Sequence, residues 1–253
     1  MTTTTTTEPI NIPTPTSVSP EEIEFNMGET FTQSFTFFSD EEGAVNLSGV
    51  DVALDLKSFS ITPDPESINT TVDIQFDEEV SERIEEGIIY GNFRLEWGTN
   101  KRKYPIVVYT FDVESNLPIQ RLRRALQDLT AEHRIHGINK VFSNKLLLES
   151  KVEAVEIFNS SPGRHRTYKL KSIPDRFVHS FSQGAMGEAM IRAANSLGLN
   201  QFPYDAGGVS VQADEARLQY LADLGMRLKD EFQQWVYTQQ YYDAMSKTYQ
   251  QIG

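Results

Sequence analysis

Histidine offers the first candidate chemistry: His133 and His136 stand three apart near the end of an expected helix, a spacing at which two imidazoles can share a metal ion. No carboxylate motif of the metalloprotease kind accompanies them, and a capping or surface role explains the pair as well. His165 and His179 stand alone. The chain has no cysteine, which excludes disulfides, thiolate metal sites and a thiol nucleophile. Gly184-Ala-Met-Gly187 and Gly207-Gly208 are glycine-rich but lack a phosphate-loop lysine and a strand leading into a helix, so they are expected to be turns and helix boundaries. Asp40-Glu41-Glu42 and Asp77-Glu78-Glu79 lack the alternating ligand spacing of a calcium loop and are read as solvated turns. No catalytic residue, cofactor site or metal site is assigned on these grounds, and the chain is expected not to be an enzyme.

The stretch whose composition points outward is Trp235-Val-Tyr237-Thr-Gln-Gln-Tyr241-Tyr242-Asp-Ala-Met245, where aromatics and methionine cover more than one helix face with almost no charge. Two readings are open for it: an internal core against residues 183–200, or a surface for another subunit. The tyrosines fall largely off the apolar stripe that would dock the helix on its own core, and a large exposed apolar patch usually marks an interface. Trp235, Tyr237, Tyr241 and Tyr242 are therefore candidate interface residues. Ile10 and Ile12 join them from an N-terminal arm.

That arm, residues 1–20, opens with six consecutive threonines and then places four prolines within twelve residues. Proline fixes φ and removes a donor, and Thr and Ser offer little apolar area, so the segment is expected to be extended or disordered alone. Threonine also favours strand geometry, and such an arm could add backbone hydrogen bonds at a neighbour's sheet edge.

From Phe25 to Asp112 apolar residues recur at every second position, the period of strands with one buried face. Phe31, Phe35 and Phe37 do so in one run. Val50, Val52, Leu54 and Leu56, then Val72, Ile74 and Phe76, then Phe93, Leu95 and Trp97 repeat the pattern, and Tyr104–Phe111 closes it. Turn clusters separate the runs, at Asn26-Met-Gly28, Ser39-Asp-Glu-Glu-Gly43, Leu47-Ser-Gly49 and Pro63-Asp-Pro65. A short helical turn is expected after Phe76, capped by Asp77 and ended by Gly87. Six or more short strands in this span imply a small antiparallel β-sandwich of the immunoglobulin-like kind, residues 21–113.

After Asp112 the period changes. Leu117, Leu122, Ala125, Leu126 and Leu129 are spaced by three and four, which predicts an amphipathic helix. Residues 139–182 read as two or three strands or a hairpin. Helices then return, one ending at Gly198 and one running from about Ala213 to Tyr249 with a stripe of Leu218, Leu221, Leu224, Leu228, Phe232, Trp235 and Tyr242. The predicted class is α+β: arm, sandwich, and a mixed, mainly helical assembly domain over 114–253 with one long helix.

Charge divides the same way. Residues 1–113 hold 21 acids against 6 bases, whereas residues 114–253 hold 15 against 17. An acidic half argues against wrapping nucleic acid. The stretch 116–192 carries a net charge of +6, either a solvated face or a contact for an acidic neighbour such as another copy's sandwich. No run approaches the roughly 18 apolar residues of a membrane span, and no signal peptide is recognisable.

Taken in order, Met27-Gly28-Glu29-Thr30-Phe31, the Phe/Thr strand, Val45-Asn46-Leu47-Ser48-Gly49-Val50, Phe76-Asp-Glu-Glu with its helix, and Gly87-Ile-Ile-Tyr90 leading to Trp97 resemble a module of tailed-bacteriophage virion proteins, the N-terminal domain of the phage baseplate upper protein family. There a "GDT-hydrophobic" start, a "hydrophobic-x-Leu-Thr-Gly" turn and a helix before "Gly-x-Tyr" recur in this order, over about 90 of the 253 residues here. This chain has Glu29 for the Asp, Ser48 for the Thr and an extra Ile before Tyr90. The resemblance implies a structural subunit of a phage virion, at the neck (head–tail connector) or baseplate. It would be made in the host cytoplasm and assembled with other virion proteins and with copies of itself, with no cofactor. The alternative is a stand-alone carbohydrate- or ligand-binding β-sandwich.

Overall fold

A computed structural model describes residues 14–40, 43–57, 59–64, 68–112, 114–130, 141–161, 167–199 and 212–252. The chain divides between Phe111 and Asp112 into two compact units, the first built of strands and the second of helices.

In the first unit the period-two runs become strands. β1 (Ser17–Ser19), β3 (Phe31–Ser39), β4 (Gly43–Ala44) and β7 (Thr71–Phe76) form a four-stranded sheet centred on β3. The second sheet has the order β2-β9-β8-β5-β6, from β2 (Glu22–Asn26), β9 (Asn100–Phe111), β8 (Gly87–Trp97), β5 (Asp51–Leu56) and β6 (Phe59–Ile61). Gly98, at φ +58°, supplies the left-handed backbone that the tight β8–β9 turn needs, and the pairing that follows runs from Trp97↔Asn100 to Gly87↔Thr110. The helical turn α1 (Glu78–Arg83) is capped as expected: the Asp77 carboxylate accepts the Val80 N–H at 2.8 Å.

The inner faces of the two sheets meet through aromatic rings. Phe35 stands edge-on to Phe93 at 4.5 Å, and Phe37 packs edge-on to both Phe93 and Tyr104 at 5.5 Å. Phe25 meets Phe76 at 5.5 Å. Phe35, Leu54 and Phe93 are fully buried and Trp97 nearly so. Burial of this kind stabilises by about 1.5–3 kcal/mol per large side chain and holds the two faces in register.

Two features of this unit depart from the sequence reading. The sheets are not wholly antiparallel, because β2 lies parallel to β9, from Glu22↔Val107 to Asn26↔Phe111. β1 lies in one sheet and β2 in the other, with a cis Ser19–Pro20 bond between them. The first unit also begins earlier than the sequence suggests. Residues 14–20 belong to the sandwich, since β1 pairs with β3 and Val18 lies in the core, while residues 1–13 lie outside the described residues. One strand-forming valine between serines provides enough buried area to dock a three-residue strand on an existing sheet edge.

The second unit contains α2 (Ile119–Thr130), α3 (Asn144–Ser160), α4 (Val178–Leu199) and α5 (Gln212–Ile252). The strands or hairpin expected in 139–182 are absent among the described residues; α3 and two short 3-10 turns, Leu170–Ser172 and Asp175–Phe177, occupy that span. Leu147, Leu148, Lys151, Ala154, Val155 and Phe158 are the buried positions, the three-and-four spacing of a helix. Ser143 starts the helix by accepting the Leu146 N–H on Oγ.

Gly184 and Gly187, expected to mark turns, lie inside α4, where residues 184–190 are buried. A methyl on Gly187 would stand 2.8 Å from the Gly225 carbonyl oxygen and 2.8 Å from the Lys229 nitrogen. These glycines exist for close approach between α4 and α5 rather than for a bend. Lys229 Nζ meets the buried Glu188 carboxylate at 2.5 Å beside this crossing. On the other side of α4, Arg192 reaches Glu149 at 3.1 Å and Glu153 at 3.6 Å on α3.

Candidate assembly surfaces

The 41 residues of α5 would span about 62 Å at 1.5 Å per residue. Its buried line runs through Leu221, Leu224, Leu228, Phe232, Val236 and Gln240. Trp235 lies beside this line and is half-buried, with Phe177, Phe158, Phe181 and Phe232 at 5.1, 5.9, 5.8 and 5.7 Å. That ring is committed to its own unit's core.

The three tyrosines are placed differently. Tyr237 is 60% exposed, and Tyr241 and Tyr242 are each 63% exposed. At about 100° per residue, Tyr237 and Tyr241 point away from the Phe232–Val236 line and Tyr242 lies on its flank. Tyr242 was counted in the core stripe from its seven-residue spacing to Trp235, and its exposure corrects that: the buried line passes through Val236 and Gln240 instead. Tyr241 and Tyr242 stand edge to face, their ring centres 6.3 Å apart. Tyr237 also walls an open hollow of about 260 Å³ with Ile157, Ser160, Ser161 and Gln233, where α3 ends against α5. Exposed phenol rings on a rigid helix beside a hollow can bury apolar area and donate hydrogen bonds at little entropic cost.

Ile10 and Ile12 lie outside the described residues, as do His133, His136, His165, Gly207 and Gly208. The root of the arm is described, and it is firmly held. The Thr16 N–H donates to the Phe38 carbonyl at 2.7 Å, the Thr16 hydroxyl donates to Asp40 Oδ1 at 3.1 Å, and the buried Tyr104 hydroxyl donates to the Pro15 carbonyl at 2.6 Å. Burial raises the Tyr104 pKa, so the phenol stays protonated and able to donate.

The outer face of the five-stranded sheet carries a charged network that sequence reasoning missed. Asp55 accepts from the Ser60 hydroxyl at 2.6 Å and from Arg94 Nε at 3.0 Å; Arg94 also reaches Glu96 at 3.0 Å, and Lys101 reaches the other oxygen of Glu96 at 3.0 Å. The Ser60 hydrogen bond, then that of Arg94, lowers the Asp55 pKa; Lys101, then Arg94, does the same for Glu96. Asp55 with Arg94 and Glu96 had a period-two signal, since each sits one residue from an inward-facing apolar position. What could not be read was which strands are neighbours. The same face borders an open groove of about 540 Å³ along β5.

Among the described residues no helix is long and apolar enough to cross a membrane. No protein-family model matches the chain, and no curated protein matches its sequence.

Proposed function

We propose that the chain is a structural subunit of a tailed-phage virion, placed at the neck or the baseplate, that works by assembly and catalyses no reaction. Its partners are copies of itself and other virion proteins. Supporting the sandwich half of this reading is the strand pairing: β3 lies between β1 and β7 in one sheet, and β9, β8, β5 and β6 follow one another in the other, an order that an immunoglobulin-like sandwich would have. The motif order resembling baseplate upper proteins falls on the turn before β3, the turn before β5, α1 and the start of β8.

The observation that carries the proposal is the exposure of Tyr237, Tyr241 and Tyr242 together on the far part of a 41-residue helix. A subunit that acted alone would present these rings to water with no return, whereas an assembling one buries them against a neighbour. Light scattering on the purified chain tests this. Multimers that dissociate on dilution are expected, and a strict monomer at every concentration would contradict the proposal.

The 540 Å³ groove beside β5 favours one second reading, a stand-alone carbohydrate- or ligand-binding sandwich, because its volume suits a small ligand. A monomer with high glycan affinity is the outcome that reading expects.

A further inference from the structure

Leu221, Leu224, Leu228 and Trp235 fall on a three-and-four repeat that the sequence carries beyond the core, through Thr238, Tyr242, Met245, Tyr249 and Ile252. Glu231 is its only charged position. The first part of the repeat packs on α4, which runs antiparallel to α5: Gly187 meets Gly225, and Phe181 lies beside Phe232 and Trp235 at 5.6 and 5.8 Å. α4 begins at Val178, about level with Tyr237 of α5. α3 ends at Ser160, against Gln233 and Tyr237. Because α5 continues to Ile252, about 15 of its residues, roughly 22 Å, project past the ends of both helices. The buried line also leaves the repeat before this point. From Leu224 it advances in fours through Leu228, Phe232, Val236 and Gln240, and each such step turns it by about 40° around the helix. By Gln240 it lies on the side opposite Tyr242, and Thr238 and Tyr242 are left exposed.

We propose that the repeat from Thr238 to Ile252 is a coiled-coil seam that pairs with the same seam of a second copy. This deepens the assembly reading above, on which it rests, by naming the partner. An apolar repeat at this spacing is buried by another helix with the same repeat, and α3 and α4 both stop short of it. The charge pattern selects a copy over a different chain. Coiled coils that choose an unlike partner do so through charges at the positions flanking the seam. Here those positions are Gln239, Tyr241, Ser246 and Thr248, none of them charged, while Asp243 and Lys247 fall elsewhere in the heptad. Two identical seams therefore meet with no like charges opposed. The seam is only about two heptads long, so the pairing is weak and concentration-dependent.

The absence of cysteine makes the test direct, because one introduced thiol reports one contact. Met245 is the midpoint of the seam and meets its twin whether the two helices run parallel or antiparallel. Full-length Met245→Cys treated with a short bis-maleimide should give a covalent dimer in several-fold higher yield than Met226→Cys, whose position is 58% exposed and lies off the repeat. Equal yields would overturn the inference. Met245→Lys should lose the multimers seen by light scattering while keeping its urea midpoint, and Met245→Leu should retain them. Multimers of Met245→Lys equal to those of the parent protein, or its failure to fold, would overturn the inference too. Light scattering on the parent protein separates the levels: multimers without the Met245→Cys cross-link sink the seam alone, and a monomer at every concentration sinks the assembly reading as well.

Discussion

Gly187→Ala is the smallest change that tests how the helical unit is held together. The added methyl would meet two backbone atoms of α5 at 2.8 Å, neither of which can rotate away as a side chain would. Carbon contacts are comfortable near 3.5 Å, so the helices must separate by about 0.7 Å. Gly225 has the reciprocal problem, its methyl lying 2.9 Å from the Gly187 carbonyl. Separation would also stretch the Glu188–Lys229 pair, now at 2.5 Å. Overpacking of a close-packed contact costs about 1–3 kcal/mol, and two fixed backbone obstacles put this case at the upper end, near 3 kcal/mol. Replacing a helical glycine by alanine returns about 1 kcal/mol through backbone entropy. The net expectation is a loss of about 2 kcal/mol, read as a fall of about 1 M in the urea midpoint for an m-value near 2 kcal/mol/M. The assay follows Trp235 fluorescence in a Trp97→Phe background, which confines the signal to this unit. Gly187→Ala with Gly225→Ala should cost less than the sum of the two, because helices already separated accommodate both methyls. An unchanged or raised midpoint for Gly187→Ala, or strict additivity in the pair, would refute the close crossing.

Phe93→Ala removes a fully buried ring held by Phe35 and Phe37 and should cost roughly 3–5 kcal/mol by urea unfolding followed at Trp97; a loss below about 1 kcal/mol would contradict the β8 register. Tyr241→Lys with Tyr242→Lys should leave the folding midpoint of the isolated protein unchanged, since both rings are exposed and lysine keeps helix propensity, while abolishing multimers by light scattering. Unfolding of that double variant would mean the rings are structural, and normal assembly would remove them from the interface. The Asp55 network sets an acid dependence: with a folded pKa below its ordinary 3.8, Asp55 contributes stability that is present above that value and lost as pH falls through the depressed one. Asp55→Asn should therefore flatten the acid limb of the urea midpoint, by less than about 1 kcal/mol because the pair is partly solvated. An acid limb identical to that of the parent protein would show that the network does not persist in solution.

The strands were legible because a one-sided sheet writes its period directly into the sequence. Phe35, Phe37, Phe93 and Leu95 each fall on an inward position, and glycines such as Gly98 mark the reversals. The parallel β2–β9 pair was not legible, because period two reports a buried face and is silent on which strand lies alongside. In α3 the β-branched Val152, Val155 and Ile157 favour strand locally, and tertiary packing around Phe158 decided for helix. Gly184 and Gly187 were misread for a related reason: a glycine that permits close helix contact looks, in one dimension, like one that ends a helix. The exposure of Tyr237 and Tyr241 was legible from helical geometry, whereas that of Tyr242 was hidden by its seven-residue spacing from Trp235.

Mass spectrometry of virus particles purified from a lysate that contains this chain tests the central proposal most directly. The account predicts the chain in intact particles at a fixed ratio to the other tail and neck proteins, retained through density-gradient purification. Its absence from such particles, alongside abundant soluble chain in the same lysate, would contradict a structural role in the virion.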